Sequence, residues 1–172
     1  MHNSSPNPIV TIHMCTYNRA HVIMQAIDSV LAQTYTNFEL LILDDCSTDT
    51  TEQILQPYLK DPRIRYIQNE HNLGITKNRN KALSLSRGIY IAVLDSDDYW
   101  IDNTKLEKQV DFLQKNPTYA LVGTYMHIVN EHGTILKKIS YPTSNFFIKK
   151  LLLIKNLFCH SSVLYRKDVI QK

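Results

Sequence analysis

Ile89-Tyr-Ile-Ala-Val-Leu94 is an unbroken apolar run that ends directly in Asp95-Ser-Asp97-Asp98. A run with no polar face reads as a strand covered on both sides. The same arrangement occurs earlier, where Phe38-Glu-Leu-Leu-Ile-Leu43 runs into Asp44-Asp45. Two buried strands that each deliver acids at their carboxyl ends fit a parallel sheet, in which ligands bind beyond those ends.

Working outward, the remaining elements follow from periodicity and breakers. Ile9 to Thr16 is a strand, with Val10, Ile12 and Met14 on one face. Ile23, Ile27 and Leu31 repeat at helical spacing within a helix from about Ala20 to Gln33. Asp49-Thr-Thr-Glu52 has capping-box spacing and opens a helix through about Leu59, before Pro62 breaks the chain. Ile64 to Gln68 supplies a third strand and Asn72-Leu-Gly74 a turn. Thr76 to Ser86 is a basic helix ended by Gly88, and Leu106, Val110 and Leu113 mark a helix stopped before Pro117. Four strand-helix repeats predict an α/β fold with right-handed crossovers. After Pro117 the pattern changes to α+β: strands at Tyr119–Asn130 and Thr134–Ile139, a helix at Asn145–Lys155, and an extended Leu157–Arg166.

Composition bounds the function. The 172 residues suffice for one domain with its own core. A content of 44% hydrophobic and 20% charged residues excludes disordered, collagen-like and coiled-coil classes. A net charge of +3 is too small to indicate a nucleic-acid binder. Three well-separated cysteines, Cys15, Cys46 and Cys159, fit a reducing compartment, and no CxxC is present to suggest zinc. The start, Met1 to Pro8, lacks the features of a signal peptide. No apolar stretch approaches the roughly 20 residues needed to span a bilayer. The expectation is a soluble intracellular protein.

Three carboxylates within four residues repel one another unless a cation relieves them, so Asp95, Asp97 and Asp98 suit Mg²⁺ or Mn²⁺ shared with substrate phosphates; the alternative is a polar, helix-capping turn. Asp44 and Asp45 either cap the next helix or accept hydrogen bonds from a base or ribose. Thr16-Tyr17-Asn18-Arg19 offers a hydroxyl, an aromatic face and a cation at a neighbouring strand end. Arg79, between Lys77 and Lys81, fits a solvated basic face or a diphosphate contact. Cys159 has no activating group evident in the sequence and reads as structural. His160 fits a metal, a substrate or a core hydrogen bond, and Trp100 fits the floor of a sugar site or the core.

Taken in order, Thr16-Tyr17-Asn18-Arg19, Leu43-Asp-Asp-Cys-Ser-Thr-Asp49, Asn72-Leu-Gly74 with Arg79-Asn80, and Leu94-Asp-Ser-Asp-Asp-Tyr-Trp100 resemble family 2 glycosyltransferases of the GT-A fold. The resemblance covers about residues 8–166. It implies a single GT-A domain, Rossmann-like, with a mixed and mainly parallel sheet flanked by helices. Residues 8–116 would bind the nucleotide sugar, and 117–172 would form part of the acceptor region. It further implies inverting transfer from a nucleotide-diphospho-sugar, commonly a UDP-sugar, to a glycan or lipid-linked acceptor. By position, Thr16 and Tyr17 line the nucleoside pocket, Asp45 with Asp44 beside it contacts uracil, and Arg79 lies near the nucleotide. Arg19 and Ser96 complete the donor set. Asp95 and Asp97 form the DxD motif, with Asp97 and Asp98 on Mn²⁺ or Mg²⁺, while Trp100 and His160 belong to the sugar and acceptor side. The family's general base lies in an acidic motif downstream of the His-Ser-Ser segment, so it is expected beyond Lys172; Asp168 lacks the neighbours for that role. Cytoplasmic residence, with peripheral association at the inner membrane face, follows from the family alone.

Competing classes fit less well. Aspartyl-nucleophile phosphatases place their acids near the first strand, whereas here they follow the fourth. A nucleotidyltransferase brings a Gly-rich basic loop to the first strand end, where this chain has Thr16-Tyr-Asn-Arg19. A non-catalytic or truncated nucleotide-sugar binding module is the serious rival.

Overall fold

The computed structural model describes residues 7–170; the first six residues, including most of the start read above, and the last two lie outside the described residues. A six-stranded sheet in the order β3-β2-β1-β4-β8-β5 forms the centre. Strands β1 (Val10–Thr16), β2 (Phe38–Asp44), β3 (Ile64–Gln68) and β4 (Tyr90–Val93) are parallel neighbours. From β1 the chain moves outward through β2 and β3, then returns to place β4 on the other side of β1. The carboxyl ends of β1 and β4 therefore flank a topological switch point, where a sheet of this kind opens a crevice.

Every residue of β1, β2 and β4 is buried, as their apolar sequences require. On one face, Val10, Ile12, Met14, Leu40, Ile42 and Ala92 pack with Ile23, Ile27 and Val30 of α1 (Ile23–Leu31) and with Leu106, Val110 and Leu113 of α4 (Lys105–Lys115). On the other, Cys15, Leu41 and Leu43 meet Ala82 and Leu85 of α3 (Ile75–Leu85). Gly88 is required two residues before β4, because a Cβ there would come within 2.4 Å of the Thr11 amide nitrogen. Buried Glu39 closes this corner, accepting from the Thr11 hydroxyl, the Arg87 amide and the Arg65 guanidinium at 2.7–2.8 Å.

Three expectations are corrected. The helix after Asp49 is one short turn, α2 (Thr51–Leu55), followed by a separate 3₁₀ turn at Tyr58–Lys60; Thr50 rather than Asp49 stands at its cap and makes no side-chain capping bond. Asp49 instead accepts from the Thr51 amide at 3.0 Å and from the Ala20 amide at 3.1 Å. The region 119–130 is broken into β5 (Leu121–Val122) and β6 (Met126–Val129), and β6 pairs only with β7 (Ile135–Ile139) in a separate two-stranded sheet. The extended segment at 157–166 contains a 3₁₀ turn at His160–Ser162 and the strand β8 (Leu164–Arg166). That strand inserts antiparallel between β4 and β5, so the end of the chain completes the main sheet rather than forming a separate layer.

His13 sits within β1 and is nearly fully buried, hydrogen-bonded to the Ser86 hydroxyl. Burial pushes its pKa from 6.5 down to about 4, with Lys167 and His160 adding to the effect and Glu39 opposing it. A folded-state pKa below the unfolded value means that the native state binds fewer protons. Stability from neutral His13 is therefore complete above pH 6.5 and lost as the pH falls towards about 4. The span corresponds to roughly 3 kcal/mol. Urea midpoints measured across this window are expected to fall in the wild type and to fall less in His13→Gln; parallel curves would show that His13 does not titrate with unfolding.

Candidate active site

A cleft of about 470 Å³ opens at the carboxyl ends of the parallel strands. Of the residues singled out in the sequence, Thr16, Tyr17, Arg19, Asp45, Arg79, Asp95, Ser96 and Asp97 line it. His160 lines a smaller adjoining pocket of about 200 Å³, which shares Arg79 and Asp95 with the cleft. Asp44, Asp98 and Trp100 lie outside both linings.

The wall after β1 is laced to the loop after β2. Asn18 adopts a left-handed backbone (φ 53°), which asparagine tolerates better than most residues. Its side-chain oxygen accepts from the Thr48 amide at 2.8 Å, and its own amide donates to the Ser47 hydroxyl at 2.9 Å. This clamp holds Tyr17 with an exposed ring and Arg19 with its guanidinium 3.6 Å from Asp97. Both members of that pair are about half exposed, so it contributes little to stability. Beneath them, Thr16 Oγ1 is the buried side-chain polar atom without a hydrogen-bond partner among the described residues. Leaving such an atom unpartnered is costly, and a ligand hydrogen bond in the cleft would relieve it.

The two acids after β2 have separate fates. Asp44 is fully buried and saturated: it accepts from the Ser47 amide and hydroxyl, the Tyr66 hydroxyl at 2.7 Å and Gln68 Nε2 at 3.2 Å. It is a corner post between β2 and β3, and the base-contact reading is corrected for that reason. Burial together with the Asp44 carboxylate drives the Tyr66 phenol above its usual range, so Tyr66 remains a donor. Asp45 reaches the cleft wall but is also engaged, accepting from Asn69 Nδ2, the Leu73 amide and the Gly74 amide at 2.8–2.9 Å. Gly74 has φ +80°, a conformation that glycine takes without strain. Asp45 thus shapes the loop 72–74, and Asn69, Asn78 and Lys81 brace it from behind. Lys81 is consumed by Asn69 at 2.7 Å, so the basic face of α3 does not act as a whole. Asn69 and Asn78 carry no signal in the sequence, and Asn18 stands in the Thr16–Arg19 motif without a readable role, because an asparagine says little until its partners are known.

After β4, Asp95 is held from two sides. Arg79 donates to one oxygen at 2.8 Å, and His160 Nδ1 stands 3.3 Å from the other. Burial opposes its ionisation, but the hydrogen bonds and charge of His160 and Arg79 outweigh this and keep the carboxyl below the usual range. Asp98 experiences the opposite balance. Burial raises it, and like charge from Asp97 and Asp95 adds to the rise despite a hydrogen bond from the Ser161 hydroxyl. Ser161 also accepts from the Asp95 amide at 3.1 Å, joining both ends of the acidic loop to the 3₁₀ turn before β8.

Trp100 is corrected as a sugar floor. It belongs to the core, where its indole N–H donates to the Ser161 carbonyl at 2.7 Å and its ring lies beneath Lys105 Nζ, 3.9 Å from the centroid. Lys105 is buried, donates to Gln109 Oε1 at 2.8 Å and has no carboxylate partner among the described residues, and desolvation pushes its pKa down to about 7. Burial raises the Cys159 thiol and takes Cys15 up to about 12, so neither is an activated nucleophile.

The donor set decides what cation would fit. Among the described residues no group of three His, Cys, Asp or Glu side chains is placed to hold a metal unaided. Asp97 and Asp98 are adjacent, oxygen-only and mutually repulsive, with Asp97 open to solvent. Two carboxylates of this kind fit Mg²⁺ or Mn²⁺ completed by water and substrate phosphates, not a closed all-protein site.

Comparison with known proteins matches this architecture. The family described as Glycosyl transferase family 2 matches residues 11–172, and the chain belongs to it. It is 34% identical over 169 residues to the uncharacterized glycosyltransferase MJ1057 of Methanocaldococcus jannaschii, covering 96% of this chain and 58% of that protein. It is 40% identical over 159 residues to UDP-Glc:alpha-D-GlcNAc-diphosphoundecaprenol beta-1,3-glucosyltransferase WfgD of Escherichia coli, covering 92% of this chain and 60% of that protein. The chain thus spans 58–60% of the length of these relatives. Among solved structures, S. aureus TarS 1-349 in complex with UDP-GlcNAc superposes with a TM-score of 0.75 at 25% identity, covering 94% of this chain and 46% of TarS. The mixed, mostly parallel sheet with flanking helices is the GT-A arrangement of these neighbours.

Proposed function

We propose that this chain carries the donor site of a glycosyltransferase that moves a sugar from a UDP-sugar to a hydroxyl of a glycan or lipid-linked acceptor, with inversion and metal assistance. The observation that carries the reading is one cleft at the sheet's switch point with a partnerless Thr16 hydroxyl in its wall and the solvent-open Asp97 carboxylate in its lining. Its volume is that of a small-molecule site. The names of WfgD and of the TarS complex support a UDP-sugar donor and, for WfgD, a diphosphoundecaprenol-linked acceptor.

In this reading Thr16 and Tyr17 receive the nucleoside, the first by hydrogen bond and the second by its exposed ring. Asp45 holds the loop 72–74 that borders the base. Arg79 and His160 keep Asp95 ionised and aimed, and Asp97 with Asp98 would hold Mn²⁺ or Mg²⁺. Bound there, the metal would neutralise charge developing on the departing diphosphate. Asp95 is occupied by Arg79 and His160, and Asp97 and Asp98 serve the cation. None of these three is left as the base that takes the acceptor proton. Among the described residues no helix is long and apolar enough to cross a membrane.

Thermal melting with UDP, GDP and ADP, each with and without Mn²⁺, tests the donor half. At a hundred times its dissociation constant UDP is expected to raise the melting temperature by about 5–10 °C, and by clearly less without metal. Indifference to all three nucleotides in the presence of metal would remove the assignment.

A further inference from the structure

The segment leading into His160 carries an exposed surface that is both apolar and basic. None of the residues of α5 (Asn145–Leu151) is buried. Phe146 and Phe147 are 61% and 57% exposed, and in the turn that follows Leu153 and Ile154 are 90% and 81% exposed. Lys149, Lys150 and Lys155 are interleaved with them, and none has an acidic partner among the described residues. Lys150 Nζ lies over the Phe146 ring, 4.6 Å from its centre, so cation and aromatic face share one patch. From His132 to Lys167 the sequence contains no Asp or Glu, although the chain as a whole has 16.

We propose that the face formed by α5 and the Leu152–Lys155 turn docks on an anionic lipid surface, with Phe146, Leu153 and Ile154 entering the interface and the lysines meeting phosphate headgroups. Apolar side chains with interspersed cations and no acids are the chemistry that such a surface selects. A second copy of the chain is a poor occupant, because joining two such faces opposes lysine to lysine with no carboxylate nearby. His160 is five positions on from Lys155, a reach of at most about 18 Å, so docking brings the lipid headgroups close to the Asp95 side of the cleft. The inference stands apart from the sugar-transfer reading, since lipid vesicles supply neither donor nor acceptor.

Co-sedimentation with vesicles of phosphatidylcholine alone and of phosphatidylcholine mixed with phosphatidylglycerol tests it. The chain is expected to pellet with the anionic vesicles, weakly or not at all with the neutral ones, and less at high salt. Each lysine at such a surface is worth roughly a factor of five, so Lys149→Gln with Lys150→Gln is expected to lower the partition coefficient about 30-fold. Leu153→Ser with Ile154→Ser is expected to remove the binding that survives high salt. Lys108→Gln with Lys115→Gln, on exposed positions of α4, is the control and is expected to change nothing. All these positions are exposed, and unchanged melting temperatures confirm that each variant is folded. The proposal is overturned by absence of binding to anionic vesicles, by equal loss in the α4 control, or by a concentration-dependent dimer that forms through this face and ignores vesicles.

Discussion

Asp44→Ala is expected to destabilise the chain by about 2–4 kcal/mol, since each buried donor left without its acceptor costs about 1–3 kcal/mol. Asp44 is fully buried and accepts four hydrogen bonds, two from Ser47 and one each from Tyr66 and Gln68. Its loss leaves the Tyr66 hydroxyl and the Ser47 amide without their acceptor and opens a void between β2 and β3. Urea midpoints in the presence and absence of UDP and Mn²⁺ would measure the effect, which is expected to be the same in both conditions apart from the ligand's own stabilisation. A stability loss below about 1 kcal/mol, accompanied by lost nucleotide binding, would restore Asp44 to the ligand site. The adjacent Asp45 gives the useful contrast, because its partners are the amides of the 72–74 loop and its removal should disturb the cleft wall as well as stability.

If the proposed donor site is right, Asp97→Asn and Asp98→Asn are each expected to abolish the metal-dependent part of UDP stabilisation and to weaken Mn²⁺ affinity at least about 100-fold. That bound is the upper range for losing only an outer partner of a metal ligand, and a direct ligand should cost no less. The stability effect should run the other way. Asp98 is penalised as an anion by its surroundings and by Asp97 and Asp95, and an asparagine oxygen can still accept from Ser161. Asp98→Asn is therefore expected to melt at or above the wild-type temperature without ligand. Isothermal titration of Mn²⁺ and UDP into both variants, alongside melting curves, separates the two effects. Undiminished metal dependence in both variants would place the cation elsewhere.

The parallel core was legible because burial on both faces forces uninterrupted apolar runs, and 89–94 and 38–43 announce themselves without any knowledge of neighbours. The acids that follow were legible for a related reason: a carboxylate placed directly after a buried strand has to be somewhere special. What the sequence could not show is which acid has partners. Asp44 and Asp45 are adjacent and chemically identical, yet only Tyr66 and Gln68, more than twenty positions away, decide that the first is structural. Trp100 presents the same problem, since its choice between core and cleft depends on Ser161 and Lys105. The short α2 and the broken segment at 119–130 were overread because local patterning continues where tertiary pairing stops. The placement of β8 was hidden more deeply, for no local feature states whether an extended segment forms its own sheet or joins an existing one.

The antiparallel entry of β8 also has a consequence in time. Its pairing with β4 sets the turn carrying Ser161 at the exit of β4, and Ser161 is the group that links the Asp95 amide to Asp98 across 63–66 positions of sequence. Contacts this distant are among the slowest to form, because a long loop must close before anything rewards it. The β1–β4 pairing, whose partners lie 80 positions apart, closes a loop at least as long, so what sets the order is synthesis: β1 to β4 emerge before the turn that pins the acidic loop. The acidic loop Asp95–Asp98 is the last part of the cleft wall to be pinned, because it waits for β8 to find its slot between β4 and β5.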